Sequence, residues 1–240
     1  MRLPQLRSAP ALLIVLIAAG ALLWLGVSPM VKAPGEPVPA PDPIGNQAQT
    51  VTDQLRRLVV VNELPDVPGY DRSCKKGDGC TFGPAWTDVR RTGCDTRSQL
   101  LRKALRDVVF KPRTRNCKVL SGTLWDPYSA AVIQYSSADP ATVNADHIFP
   151  LARGYRAGAA GWPYERRVEF ANDLDTNLIA VSAKENLAKS DAGIGEWLPP
   201  AGARLARCQY VQMYLAVAIK YQLLITVRDR SAAEQACGLM

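Results

Sequence analysis

The chain of 240 residues contains a single histidine, His147, and its six cysteines include no Cys-x-x-Cys pair. The first shortage excludes a zinc cage built on several imidazoles. The second removes the usual spacing of a structural zinc site. A catalytic thiol is poorly served as well, because no second histidine is present to activate a cysteine. Glycines cluster between residues 154 and 161 without the order strand, glycine loop, helix, so they give no sign of a phosphate-cradling loop. Residues 1–33 hold no acid, only the cations Arg2, Arg7 and Lys32.

The remaining composition is that of a folded protein, 48% hydrophobic and 21% charged, with room for one domain once the ends are set aside. The net charge of +7 points to an acidic partner, nucleic acid or an anionic membrane surface. Setting aside the three cations of residues 1–33 leaves 26 basic against 22 acidic residues, so the bias of the remainder is a modest +4.

Arg2 and Arg7 precede an uncharged, mostly apolar run from Ser8 to Val31, which ends at Val31-Lys32-Ala33. A positive start, an apolar stretch and a small residue at the end describe an export signal. The run is also long enough to span a bilayer, so cleavage after Ala33 and retention as an outward-facing anchor both stay open. Residues 34–50 are rich in proline and poor in large apolar groups, which reads as an extended tether. The domain proper is expected over residues 51–240.

Within it, Leu55, Leu58 and Val59 suit an opening amphipathic helix over 51–64. A loop-rich stretch to residue 94 follows, holding Cys74, Cys80, Trp86 and Cys94. Asp95 or Thr96 can cap a helix running to Val108. Residues 117–135 read as a hairpin turning at Asp126-Pro127. A further strand should carry Asp146 and His147, and residues 166–173 read as a helix leading to its partner strand. The helix that follows that strand and carries Asn186 is closed by a proline stop at Pro199-Pro200. A last long helix over 203–224 places Val211, Leu215, Ala218 and Ile219 on one face, and Tyr210, Tyr214 and Tyr221 read as core or as base-stacking groups.

An export signal implies an oxidising destination and up to three disulfides. Six cysteines allow 15 pairings. Short loops and the spacing of the elements favour Cys74–Cys80, Cys94–Cys117 and Cys208–Cys237.

The chemistry concentrates in Asn144-Ala145-Asp146-His147-Ile148-Phe149-Pro150 and in the stretch from Leu174 to Asp191. Hydrolysing a phosphodiester near neutral pH needs a base for water, a hard cation for the charge that builds on phosphate, and a group that fixes the base's tautomer. Histidine suits the first task. Asp146 can offer the cation a carboxylate oxygen and Asn186 a carboxamide oxygen. Oxygen donors without a second imidazole favour Mg2+ or Mn2+ over zinc.

The order Asp-His-Ile-x-Pro, Asn-Leu, then Ser-x-x-x-Asn-x-x-Lys resembles the HNH, or ββα-metal, nucleases. Gly93-Cys94-Asp95-Thr96-Arg97 is similar to a segment of exported bacterial proteins of that kind. The resemblance implies an α+β fold with a ββα-metal core hairpin and helix, surrounded by accessory helices and stapled by disulfides. It implies Asp146 and Asn186 as metal ligands, His147 as general base and Asn177 as the residue that orients it. Lys189 matches a basic position that faces phosphate. Arg153 and Arg97 are further candidates for gripping the backbone, Arg97 equally for a solvated helix face.

The resulting expectation is an exported endonuclease of low sequence specificity acting on nucleic acid, DNA ahead of RNA. Membrane contact would come only through an uncleaved N-terminal segment, and an inhibitor partner stays an open question. The alternatives are a catalytically inactive nucleic-acid or cell-envelope binding module on the same fold and a disulfide-stapled envelope protein.

Overall fold

The computed structural model describes residues 44–239, with side chains from Asn46 onward. The expected export segment 1–33 lies outside the described residues, as does most of the proline-rich tether. Helix α1 (Ile44–Arg56) starts inside the stretch expected to be tether. Past Pro43 nothing but Gly45 opposes a helix, and Gln47, Val51 and Leu55, spaced by four, fall on one buried face. That face meets a later helix, α6 (Arg207–Tyr221), where the Gln54 amide donates to the Gln212 carbonyl and the Gln212 amide to that of Gln47. The helix ends short of the expected Leu64. The chain then extends as β1 (Val60–Val61), which pairs in parallel with β7 (Ile225–Thr226).

Asp95 caps α2 (Thr96–Ala104), its carboxylate accepting from the Ser98 amide at 2.8 Å. The expected continuation to Val108 does not form. Leu105 turns extended and β2 (Arg106–Phe110) becomes the third strand beside β3 (Val119–Trp125) and β4 (Val132–Ser136), all antiparallel. The expected hairpin over 117–135 thus joins a larger sheet, with its turn at Asp126 as read.

Strand β5 (Val143–His147) pairs antiparallel with β6 (Leu178–Ser182), placing Asp146 opposite Ile179 and His147 opposite Leu178. Between them run α3 (Leu151–Arg156) and α4 (Tyr164–Ala171), and α5 (Ala183–Lys189) follows β6 directly, capped by the Ser182 hydroxyl. Two cores grip this pair. Val143, Leu178 and Ala180 belong to a cluster with Leu100, Leu101, Val119 and Leu124 of α2 and the three-stranded sheet. Val181, with Ile148 and Phe149 just past β5, belongs to a larger cluster built on α6. Cover on both faces explains why β6 reads as an unbroken apolar run rather than an alternation.

Helix α6 buries Tyr210, Val211, Tyr214, Leu215, Ala218 and Tyr221, so the tyrosines are core and do not stack on bases. A further helix, α7 (Val227–Ala236), is capped by Thr226 and Asp229. The three disulfides pair as expected from spacing: Cys74–Cys80, Cys94–Cys117 and Cys208–Cys237.

Arg153 on α3 does not reach outward as a backbone grip. It is 4% exposed, and its guanidinium donates to Tyr214 Oη (2.9 Å), Glu196 (3.0 Å) and Asp229 (2.6 Å). A buried cation needs such a full set of acceptors, and here they lock α3, α6 and α7 together. Gly193 is what leaves room for it, since a Cβ there would lie 2.3 Å from the Arg153 Cζ. Because three acceptors hold that guanidinium, Gly193→Ala is expected to lower unfolding stability by about 2 kcal/mol or more. A urea titration reads this directly, and a shift under about 0.5 kcal/mol, the size of an ordinary surface substitution, would contradict it.

Candidate active site

Neighbours on a flat strand point to opposite faces. At the end of β5, however, Asp146 and His147 both line one open cleft of about 310 Å³, together with Asn186 of α5 and with Tyr70, Arg72, Asn144 and Asp191. The motif's two halves, some 40 residues apart from Asp146 to Asn186 in the chain, therefore meet because β6 returns beside β5 and α5 folds back over the pair.

His147 is 6% exposed. Its Nε2 lies 2.9 Å from the carbonyl of Ala171, the last residue of α4. Carbonyls of a helix's final turn lack intrahelical donors, so this oxygen is free to accept. A carbonyl cannot donate, hence Nε2 carries the proton and Nδ1 keeps the lone pair. Burial depresses the imidazole to about pKa 3; the bond to Ala171 opposes the shift, and the charges of Arg72 and Lys189 add to it. Trp86 lies parallel to the ring, interplanar angle 7°, with centroids 6.5 Å apart. On that side is a second cavity of about 40 Å³, lined by His147, Trp86, Arg72 and Ala171.

Asp146 is 5% exposed and accepts two hydrogen bonds, one at each oxygen: from Lys189 Nζ at 3.0 Å and from the Tyr128 hydroxyl at 2.8 Å. The ammonium also donates to the His147 carbonyl at 2.8 Å. Lys189 therefore does not face phosphate. It is 1% exposed, because the last turn of α5 points it onto the Asp146 carboxylate of β5. Burial raises the Asp146 carboxyl and lowers the Lys189 ammonium, and each partner's charge opposes the shift of the other.

Asn177, expected to orient His147, touches it only through the backbone around it. Its carboxamide oxygen accepts from the Phe149 amide (2.9 Å), its NH2 donates to the Phe170 carbonyl (3.2 Å), and its own carbonyl accepts from the Ile148 amide (2.8 Å). It thus ties the segment after His147 to the segment before Ala171, fixing ring and acceptor relative to each other. Arg97 lies away from the cleft, donating to the carbonyls of Pro140 and Val143, both at 2.9 Å. Its place on α2 makes it a brace for the turn into β5.

Tyr128, Trp86 and Arg72 entered the site without a sequence signal of their own. Tyr128 sits in the β3–β4 turn, whose Asp126 accepts from the Ser182 amide at 3.3 Å and so brings that turn against the end of β6.

The donors fit a hard divalent cation. Each Asp146 oxygen keeps a lone pair after its one hydrogen bond, and the Asn186 carboxamide shares its cleft. Among the described residues no group of three or more His, Cys, Asp or Glu forms a cage. One carboxylate and one carboxamide, completed by water and phosphate oxygens, is a donor set that suits Mg2+ or Mn2+.

Removing the ammonium while keeping the volume, as in Lys189→Met, leaves the buried Asp146 charge unpaired, and stability is expected to fall by about 3 kcal/mol near neutral pH. Unpaired burial raises the folded carboxyl further above its unfolded value, so the folded state binds the extra proton and the deficit shrinks as pH falls. Urea titrations at pH 5 and 7.5 check both, and a deficit that grows toward acid would contradict the assignment.

Residues 95–232 match the family described as GmrSD restriction endonucleases, C-terminal domain. The match starts at the cap of α2 and contains β5, β6 and α5 whole. A protein of Arthroderma benhamiae, described as an uncharacterized secreted protein, is 31% identical over 210 residues, covering 87% of this chain and 94% of its own length. The secreted relative and the three disulfides agree on an exported protein. No solved structure matches the chain. By the share of its length that the family covers, the chain belongs to the GmrSD restriction endonuclease C-terminal domain family.

Proposed function

We propose that the protein is an exported, metal-dependent endonuclease of the HNH type that hydrolyses phosphodiester bonds of nucleic acid with low sequence specificity. The observation that carries this reading is the convergence of Asp146, His147 and Asn186 on one open cleft. Family membership supports a nuclease. The strand pair β5–β6 followed by α5 supports the ββα-metal arrangement within it.

His147 is the general base. With Nε2–H held by the Ala171 carbonyl, Nδ1 takes a proton from the attacking water, and Asn177 keeps that acceptor in place. Asp146 and Asn186 would hold a divalent ion, which would supply positive charge to offset the charge that builds on the phosphate. Lys189 and Tyr128 fix the Asp146 carboxylate in a single orientation, so no rearrangement is needed when the ion binds. Contacts to phosphate rather than to base edges leave sequence preference low, and DNA is placed ahead of RNA as substrate.

Nicking of supercoiled plasmid in Mg2+ or Mn2+ is the test. Wild type is expected to nick only with the ion present, and His147→Ala to lose about 10²- to 10⁴-fold in rate while still binding DNA. No cleavage by the wild type in either metal, with DNA binding intact, would replace this reading with the inactive binding module.

The depressed imidazole also sets a pH limb. A histidine whose pKa lies below 6.5 stays deprotonated to lower pH, so the acidic limb of kcat/KM, which reports the free enzyme, is expected below pH 6.5. An acidic limb above 6.5 would contradict the burial of the base.

A further inference from the structure

The cations that the motif offers are committed inside the fold. Lys189 pairs with Asp146, Arg153 with Asp229 and Glu196, and Arg97 with two carbonyls. A cleft that binds a polyanion still needs a positive group facing solvent. Arg72 is placed to be that group. It is exposed, it lines the large cleft with Asp146, His147 and Asn186, and it lines the small cavity on the Trp86 side of the imidazole. It takes part in none of the ion pairs formed among the described residues.

The backbone around Arg72 is held tightly for an exposed loop. The Asp71 carboxylate accepts from the amides of Ser73 and Gly79, both at 2.9 Å. The Asp71 amide donates to the Thr81 hydroxyl at 3.0 Å, and the Thr81 amide to the Asp71 carbonyl at 2.9 Å. The Cys80 amide donates to the Ser73 carbonyl at 2.9 Å, and the Cys74–Cys80 disulfide closes the same loop. Tyr70, the residue before, packs its ring against Phe82 and Tyr155. Both flanks of Arg72 are thus fixed to the body of the protein, which lowers the entropy lost when its side chain grips a ligand. The whole loop precedes residue 95, where the family match begins.

We infer that Arg72 is the phosphate-anchoring side chain of the cleft, positioned by the loop that Cys74–Cys80 closes, so that the site takes its substrate grip from a segment outside the family-matched domain. This rests on the nuclease reading above. A guanidinium suits the task because its planar fork matches two phosphate oxygens at once. Its place beside both cavities puts the anchored phosphate next to His147.

The test uses the full oxidised chain. In plasmid cleavage, Arg72→Ala is expected to raise KM about 10- to 100-fold with a smaller change in kcat, the size expected for a lost charge-assisted contact, and Arg72→Lys to recover part of it. The paired change Cys74→Ser with Cys80→Ser shifts KM the same way, yet adds little on top of Arg72→Ala, because both act through one side chain. In a His147→Ala background, binding of a fluorescent DNA duplex is expected to weaken with Arg72→Ala, and its salt slope to fall by about one. Unchanged thermal midpoints for the Arg72 variants separate loss of grip from loss of fold. An Arg72→Ala protein with unaltered KM and unaltered salt slope overturns the inference. If the wild type cuts nothing, the nuclease reading falls instead and the duplex-binding arm decides Arg72 alone: a reduced slope keeps it as a phosphate anchor, an unchanged slope removes it.

Discussion

Lys189 and Asp146 form an ion pair in the interior, 3.0 Å apart, with both side chains almost wholly removed from water. Neither charge would be tolerated there without the other, and the pair is completed by the Tyr128 hydroxyl on the carboxylate and the His147 carbonyl on the ammonium. Three parts of the chain meet in this arrangement: the β3–β4 turn, the end of β5 with Asp146 and the His147 carbonyl, and the last turn of α5. Folding the hairpin and its helix wrongly would strand a charge in the core. The pair therefore ties the position of β5 to that of the helix carrying Asn186.

Around it the architecture is a layered restraint on one imidazole. The two apolar clusters hold the β5–β6 pair from both sides, and Asn177 joins the segments that carry His147 and its acceptor, Ala171. Trp86 covers the ring on the side of the smaller cavity. The Arg153 network stands behind, linking α3 to α6 and α7 with a second buried cation. Side chains expected to grip substrate have become the framework that fixes the His147 imidazole. The exposed face of the cleft is left to the loop around Arg72.

The parts legible in the sequence are those whose chemistry is local. Asp146 and His147 end a strand because a turn motif with Pro150 follows, and Asn186 reaches the same cleft because β6 and α5 follow each other without a loop. The disulfides were readable from loop lengths. Strand β2 was not, since Leu101, Leu105 and Val108 continue a helical spacing, and what breaks the helix is the pairing of Arg106 with Thr123 on β3. Helix α7 is polar over most of its length, and its signal was the Thr226-x-x-Asp229 cap. The burial of Lys189 and Arg153, and the engagement of half-buried Arg97, were hidden for a general reason. A basic residue on a short helix reads as surface until a carboxylate or free carbonyl from a distant element is seen opposite it, and Asp146, Asp229 and Val143 are 43, 76 and 46 residues away from their partners.

The proposed function stands or falls on Asp146 and Asn186 holding a divalent ion in the cleft that His147 lines. Electron paramagnetic resonance of Mn2+ titrated into His147→Ala protein, with a phosphorothioate duplex present to prevent turnover, addresses it most directly. One ion held per chain is expected, with its loss in Asn186→Ala at unchanged thermal midpoint. Tight Mn2+ binding that survives removal of the Asn186 carboxamide, or no binding in the parent protein, would contradict it.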